Sequence, residues 1–240
     1  MTHRPNVFLL KGLCCALVLA FSLAALSGCG DTEPEERRAF IAYLNDTILT
    51  QKGVELPELT PAEKKSIGAY KKHYELLTGF QKTLAKETRK NTGELLALFN
   101  TEDVTALAER ERSLKKAVRE TEKLRKIILS LLEKTDKAKT KLAMPDDLAA
   151  VYNPVYAKVV SLPAASSAAV FDVARSAFAA NLDLLDFIGS NSRDVEISGG
   201  TINLKNPGLK DELDGKASAV RDRTLALQRA LAEMVKTMQQ

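Results

Sequence analysis

Residues 164–190 read AASSAAVFDVARSAFAANLDLLDFIGS, and the fold turns on how this stretch is read. Val170, Phe171, Ala174, Phe178, Leu182, Leu185 and Ile188 recur at the spacing of three and four that sets side chains on one face of an α-helix. Alanine fills much of the remainder, so no strongly polar face is left. A helix that is apolar nearly all round belongs at the centre of a helical assembly. The chain on either side must then supply the helices that cover it.

Upstream, Met144-Pro145-Asp146-Asp147 breaks the pattern, and Pro154 and Pro163 divide the next stretch into two short helical pieces. These carry Leu148, Val151, Tyr152, Val155, Tyr156 and Val159. Before them, Val104, Leu107, Leu114, Val118, Leu124, Ile128, Leu131 and Leu132 predict a helix over about 102–142. At 1.5 Å per residue it extends roughly 60 Å. It reads as one arm of an antiparallel bundle, with a coiled-coil partner site as the alternative. The turn Asn100-Thr101-Glu102-Asp103 separates it from an earlier helix that starts at Thr60-Pro61-Ala62-Glu63, a capping-box signature. That helix carries Ile67, Tyr70, Tyr74, Leu77, Leu84, Leu95, Leu96 and Phe99 and is weakened at Gly79 and Gly93. A first helix over about 35–52 uses Phe40, Ile41, Leu44 and Ile48 and stops at Gly53.

Downstream, Val195 and Ile197 alternate with polar residues, then Gly199-Gly200, then Ile202 and Leu204. The pattern predicts a β-hairpin over about 194–205. Its apolar face either rests on the bundle or leaves an edge free for a partner. A last helix, about 209–239, uses Leu213, Val220, Leu227, Leu231, Met234 and Met238. The predicted fold is an all-α bundle of about five or six helices with one small β-hairpin.

The N-terminus has a different character. Arg4 and Lys11 precede an uncharged run from Gly12 to Gly28, with the apolar core of an export signal in it. Seventeen residues fall short of the roughly 20 that a spanning helix needs. Leu26-Ser27-Gly28-Cys29 resembles the lipobox of bacterial lipoproteins. Small residues open the Gly28–Cys29 bond to a membrane peptidase. The Cys29 thiol takes a diacylglyceryl group, and its freed amine takes an acyl chain. Several chains together hold a protein firmly where one holds it marginally. The predicted organisation is a signal peptide over 1–28, a lipidated tether over 29–36 and one helical periplasmic domain over 37–240. Gly30 follows the cysteine where aspartate favours inner-membrane retention, so the expected location is the outer membrane, facing the periplasm.

Cys14 and Cys15 fall in the signal, so the mature chain keeps Cys29 alone and forms no disulfide. Its 212 residues suffice for one core. Without Arg4 and Lys11 the charge is near +2, which gives no electrostatic case for nucleic acid. Tryptophan is absent, against a carbohydrate-stacking surface.

Chemistry-bearing motifs are few. His73, the single histidine of the mature chain, lies in Lys71-Lys72-His73-Tyr74 and reads as part of a solvated helix face. It lacks a second His or Cys to complete a metal site. Asp146-Asp147 reads as an acidic first turn and cap rather than a calcium or acid pair. Ser166-Ser167 lacks a nucleophile elbow, and Gly199-Gly200 lacks the Lys-Ser/Thr of a phosphate loop. Asn45-Asp46-Thr47 matches a glycosylation acceptor, which means nothing in a bacterial envelope. Arg110, Arg112, Lys115, Lys116 and Arg119 interleave with Glu109, Glu111 and Glu120 as on a solvated helix. No catalytic, cofactor-binding or metal-binding residue is expected.

Arg38-Ala39-Phe40-Ile41 with Leu44 and Thr47, Leu56-Pro57-Glu58-Leu59-Thr60, and Lys65, Gly68, Tyr74 and Leu77 together resemble the YiaF-like bacterial lipoproteins. Asp146-Asp147-Leu148, Lys158-Val159-Val160 with Pro163, and the stretch from Ile197 to Leu204 extend the resemblance. The departure is the strongly charged helix over 102–142. The family consists of envelope proteins with a domain of unknown function. The resemblance therefore implies a lipoprotein with no assigned reaction.

Function is accordingly expected to be non-enzymatic: docking to, or structural support of, another envelope protein. The alternative is a carrier or sensor that holds a small apolar ligand between helices, and a persistent apolar pocket discriminates in its favour. Several polar side chains converging there would instead favour a hydrolase. The N-terminal expectation is testable by itself. Cys29→Ala should abolish labelling with an alkyne palmitate analogue, and density-gradient fractionation should place the labelled wild type with outer-membrane markers. Undiminished labelling of the variant would refute the lipid anchor; co-migration with inner-membrane markers would refute the location.

Overall fold

The structure is a computed structural model and describes residues 32–98 and 104–239. Its helices are α1 (Glu33–Tyr43), α2 (Pro61–Ser66), α3 (Lys71–Ala97) and α4 (Val104–Glu109), then α5 (Glu111–Lys139), α6 (Asp146–Tyr156), α7 (Leu162–Ser190) and α8 (Lys210–Gln239). Strands β1 (Val195–Ser198) and β2 (Thr201–Leu204) form one antiparallel hairpin. Joined end to end where only a turn intervenes, the helices make the five or six rods expected of an all-α bundle.

α7 is the centre. α5 and α8 pack along two of its sides, and α3 packs on α5. Phe171, Ala174, Ala177, Phe178, Leu184 and Leu185 are all buried. Among the described residues, Asp146–Ser190 is the one helical stretch long and apolar enough to cross a bilayer. Half of its apolar window is covered by the protein, as in the core helix of a bundle.

The prolines behave differently from the expectation. Pro154 and Pro163 do not separate two short pieces; α6 and α7 join through a widened turn, Ala157–Ser161. There the Leu162 amide reaches back five residues to the Ala157 carbonyl, a wider ring than the α-helical one. Pro163 has no amide for the Val159 carbonyl. The Gln81 side chain donates to it instead, at 3.4 Å. Pro154 deprives only Ala150, which is exposed.

Other boundaries follow local chemistry. Thr60 and Glu63 form the capping box expected at α2, with the Thr60 amide donating to Glu63 Oε2 at 2.7 Å. α1 continues through a widened turn, Leu44–Leu49, and the chain then reverses at Gly53, whose φ of +88° suits glycine. Lys158 donates to the carbonyls of Ile48 (3.2 Å) and Gln51 (2.6 Å), filling acceptors left open at that helix end. Glu33 to Glu36, expected in the tether, form the first turn of α1. The helix expected over 102–142 is interrupted at Arg110, where the backbone leaves helical angles between α4 and α5.

The hairpin pairs Val195 with Leu204 and Ile197 with Ile202. Gly199 and Gly200 have φ of +59° and +76°, the two positive values of a type I′ turn. Val195 is buried against Leu184, Phe187 and Ile188 of α7, and Ile197, Ile202 and Leu204 pack on the same cluster. The apolar face thus rests on the bundle. Val195→Asp should bury a charge with no partner and lower the melting midpoint by roughly 5 °C or more. A melt within a degree of wild type would mean that this face is not packed.

Candidate functional site

In a closed four-helix arrangement each helix packs against two neighbours. Here α7 touches α5 and α8, and α5 touches α3, but among the described residues α3 and α8 share no broad contact. The gap between them remains as a groove of about 580 Å³. That lies within the roughly 300–1,000 Å³ of small-molecule sites. Leu84 and Leu95 line it from α3, and Val170, Phe171 and Ala174 from α7. α8 adds Leu227, Leu231, Met234 and Met238 at helical spacing.

One end is closed by Val54-Glu55-Leu56, a strap held by Gln81 of α3. Gln81 Nε2 donates to the Val54 carbonyl, and Gln81 Oε1 accepts the Leu56 amide at 3.2 Å. Gly53 lies beside the Met238 carbonyl, so the strap also meets the C-terminal end of α8.

The hydroxyls of the lining are largely committed. Thr121 donates to the carbonyls of Ala117 (2.8 Å) and Val118 (3.0 Å), and Thr88 donates to Leu84 at 2.9 Å. Such bonds to a residue's own helix leave little free donor capacity. Ser167 is a buried member of the lining. Among the lining residues, Glu55 and Lys82 are the two that carry charge. Lys82 stands 3.8 Å from Glu58, with both side chains mostly in solvent, so this pair contributes little. Among the described residues no histidine lies on the groove, and the polar groups there form no nucleophile–base pair.

His73 is elsewhere, and its surroundings correct the expectation of a solvated face. It is buried, with 5% of its surface exposed. Its ring centroid lies 6.0 Å from that of Phe40, 5.1 Å from Tyr70 and 5.7 Å from Tyr152. Nε2 bonds to the Ala143 carbonyl at 2.8 Å, which makes it the protonated nitrogen of the neutral ring. Nδ1 is buried with no hydrogen-bond partner. Burial pushes the His73 pKa down, opposed by the bond to Ala143.

The five tyrosines of the chain all gather at this end of the bundle. Tyr152 donates to the His73 carbonyl at 2.9 Å, Tyr156 to Asp136 at 2.7 Å and Tyr74 to the Pro57 carbonyl at 2.5 Å. Tyr43 then donates to the Tyr74 hydroxyl at 3.3 Å. Tyr70 donates to Glu33, and burial together with that carboxylate pushes its pKa up to about 12. No carboxylate bonds either His73 nitrogen, so the ring is not set up as a general base. Among the described residues no three His, Cys, Asp or Glu side chains are placed to hold a metal.

The remaining motifs have structural surroundings. Pro145, not an aspartate, precedes α6. Asp147 accepts the Leu148 amide at 2.8 Å and pairs with Arg37 at 3.2 Å. Ser166 donates to the Leu162 carbonyl at 2.9 Å. Asn45-Asp46-Thr47 lies in the widened turn after α1. Lys115 pairs with Glu111 along the exposed face of α5. Leu26 to Cys29, with the predicted cleavage and lipid site, lie outside the described residues.

Periodicity marks Leu84, Val170, Ala174, Leu227 and Met234 as inward-facing. It misses Gln81, whose one trace in the sequence is indirect: Pro163 leaves a carbonyl in need of a donor.

The family described as proteins of unknown function (DUF3053) matches residues 15–235. The uncharacterized protein YiaF of Escherichia coli (strain K12) is 27% identical over 152 residues, which is 62% of this chain and 63% of that protein. The protein of the same description from Shigella flexneri gives the same figures. The match thus spans less than two thirds of the length of these curated relatives. No solved structure matches the chain.

Burial of His73 sets a direction for pH dependence. Its native pKa lies below the unfolded value of about 6.5. Above that pH both states are neutral and nothing is lost. As pH falls below it, the unfolded chain binds a proton that the native ring refuses, so stability declines. The melting midpoint should fall between pH 7.5 and pH 5, and the fall should shrink in His73→Phe, which keeps a ring among rings. An equal fall in wild type and variant would assign the effect to other groups.

Proposed function

The chain belongs to the DUF3053 family of proteins of unknown function, and on that premise we propose that it is an envelope lipoprotein carrying or sensing a small apolar ligand. The ligand sits in the groove between α3 and α8. The anchor is the lipid on Cys29, supported by Leu26-Ser27-Gly28-Cys29. Gly30 directs the protein to the outer membrane, where the domain faces the periplasm. The role is not enzymatic.

One observation carries the reading: the α3–α8 side of the bundle is left open, and the opening is apolar. Protein interiors are close-packed, with few voids larger than a water molecule. About 580 Å³ is roughly four times the cavity of about 150 Å³ that stays dry and takes up benzene. Sequence alone favours docking to an envelope protein; the groove moves ligand binding ahead of it.

The protein purified from a bacterial envelope should yield, on organic extraction and mass spectrometry, an apolar compound absent from a control lipoprotein of unrelated fold. Ala174→Phe, which fills the groove from α7, should lower the recovered amount at least about tenfold. Filling empty space should leave the melt unchanged or raised. Extracts indistinguishable from the control would sink the proposal.

A further inference from the structure

We infer that the groove takes a single linear acyl chain, the tail of a one-chain amphiphile whose head lies at the strap. This rests on the reading of the groove as a ligand site and specifies its occupant.

Shape is the first argument. The lining on α7 runs from Pro163 to Ala174 and on α8 from Leu227 to Met238. Each span covers eleven helical steps, about 16 Å along the axis. The two spans lie side by side with their ends matched. Gln81 joins Val54 to Val159 just before Pro163, and Gly53 meets Met238 at the same end. Spread over that length, about 580 Å³ gives a mean cross-section near 35 Å², so the groove is more than twice as long as it is wide. The hydrocarbon core of a bilayer is about 30 Å thick, so a chain in one leaflet occupies about 15 Å. The groove has that length.

Polarity is the second argument. Glu55 and Lys82, the charged members of the lining, both belong to the strap end, beside Gln81 and Val54. At the other end stand Leu95, Ala174 and Leu227. A gradient from charged to apolar along one slot is the outline of an amphiphile. Met234 and Met238 give one wall unbranched, polarisable side chains that adapt to tails of different length. A free fatty acid and a lysophospholipid share this chemistry.

The test uses the full-length chain, isolated from a bacterial envelope and placed in dioleoylphosphatidylcholine vesicles. Palmitate and a palmitoyl lysophospholipid, each with a diazirine in the tail, are photolysed in separate arms, and crosslinked peptides are mapped by mass spectrometry. At least one probe should crosslink around Val170–Ala174 and Leu231–Met238; the arm that succeeds names the source. Ala174→Phe and Met234→Trp should each reduce those crosslinks about tenfold, with their melts recorded as a check on folding. Lys236→Ala, an exposed change on the same helix, should not. If a compact cage-shaped diazirine labels the groove and neither linear probe does, the acyl inference fails while the ligand site stands. If none of the three labels it, both fail. Linear-probe labelling that is spread over exposed helices and unchanged in the variants also overturns the inference.

Discussion

The carbonyl of Val159 takes no α-helical bond from the residue four places on, because that residue is Pro163, which has no amide. A buried acceptor left unmet costs on the order of 1–3 kcal/mol. Gln81 meets it from another helix, and the same amide group holds both the Val54 carbonyl and the Leu56 amide. One side chain thus secures the start of α7, the strap and the first half of α3. The arrangement closes one end of the groove without filling its length.

The two parts of the molecule are held by different means. Around His73, aromatic rings from α1, α3 and α6 pack together, and each tyrosine hydroxyl finds a carbonyl, carboxylate or neighbouring hydroxyl. Such polar closure fixes side chains in one arrangement. Around the groove the contacts are mostly aliphatic, with Phe171 the one ring in the lining, and among the described residues of α8 only Leu227 is buried. Few buried contacts mark an element that opens at low free-energy cost. The α8 wall of the groove is held mainly by half-buried side chains.

Much of the fold was legible because its signals are local. Thr60-Pro61-Ala62-Glu63 contains its own cap, Gly199-Gly200 suits the primed turn of a two-residue hairpin, and α7 declares its central place by being apolar over most of its circumference. What escaped was non-local. Pro154 and Pro163 read as breaks because the wide turn and the Gln81 donor that rescue the helix are not written beside them. His73 read as exposed because its neighbours in the chain are lysines, whereas its neighbours in space, Phe40 and Tyr152, come from other helices. The groove was hidden for a further reason. Periodicity shows that Leu84 and Met234 face inward, but not whether anything faces them.

The length of the central helix has a consequence for reach. Arg37, in the second turn of α1, pairs with Asp147 at 3.2 Å, so the N-terminal end of the domain lies beside the start of the α6–α7 rod. That rod contains 45 residues, about 66 Å of axis. The hairpin tip sits at its far end, and the strap meets it near Val159, about 20 Å along. The fold is thus a spacer with two graduations. Counted from the side where α1 meets it, the rod carries the strapped end of the groove within about its first third and the hairpin against its last turns, so one continuous rod fixes the interval between them.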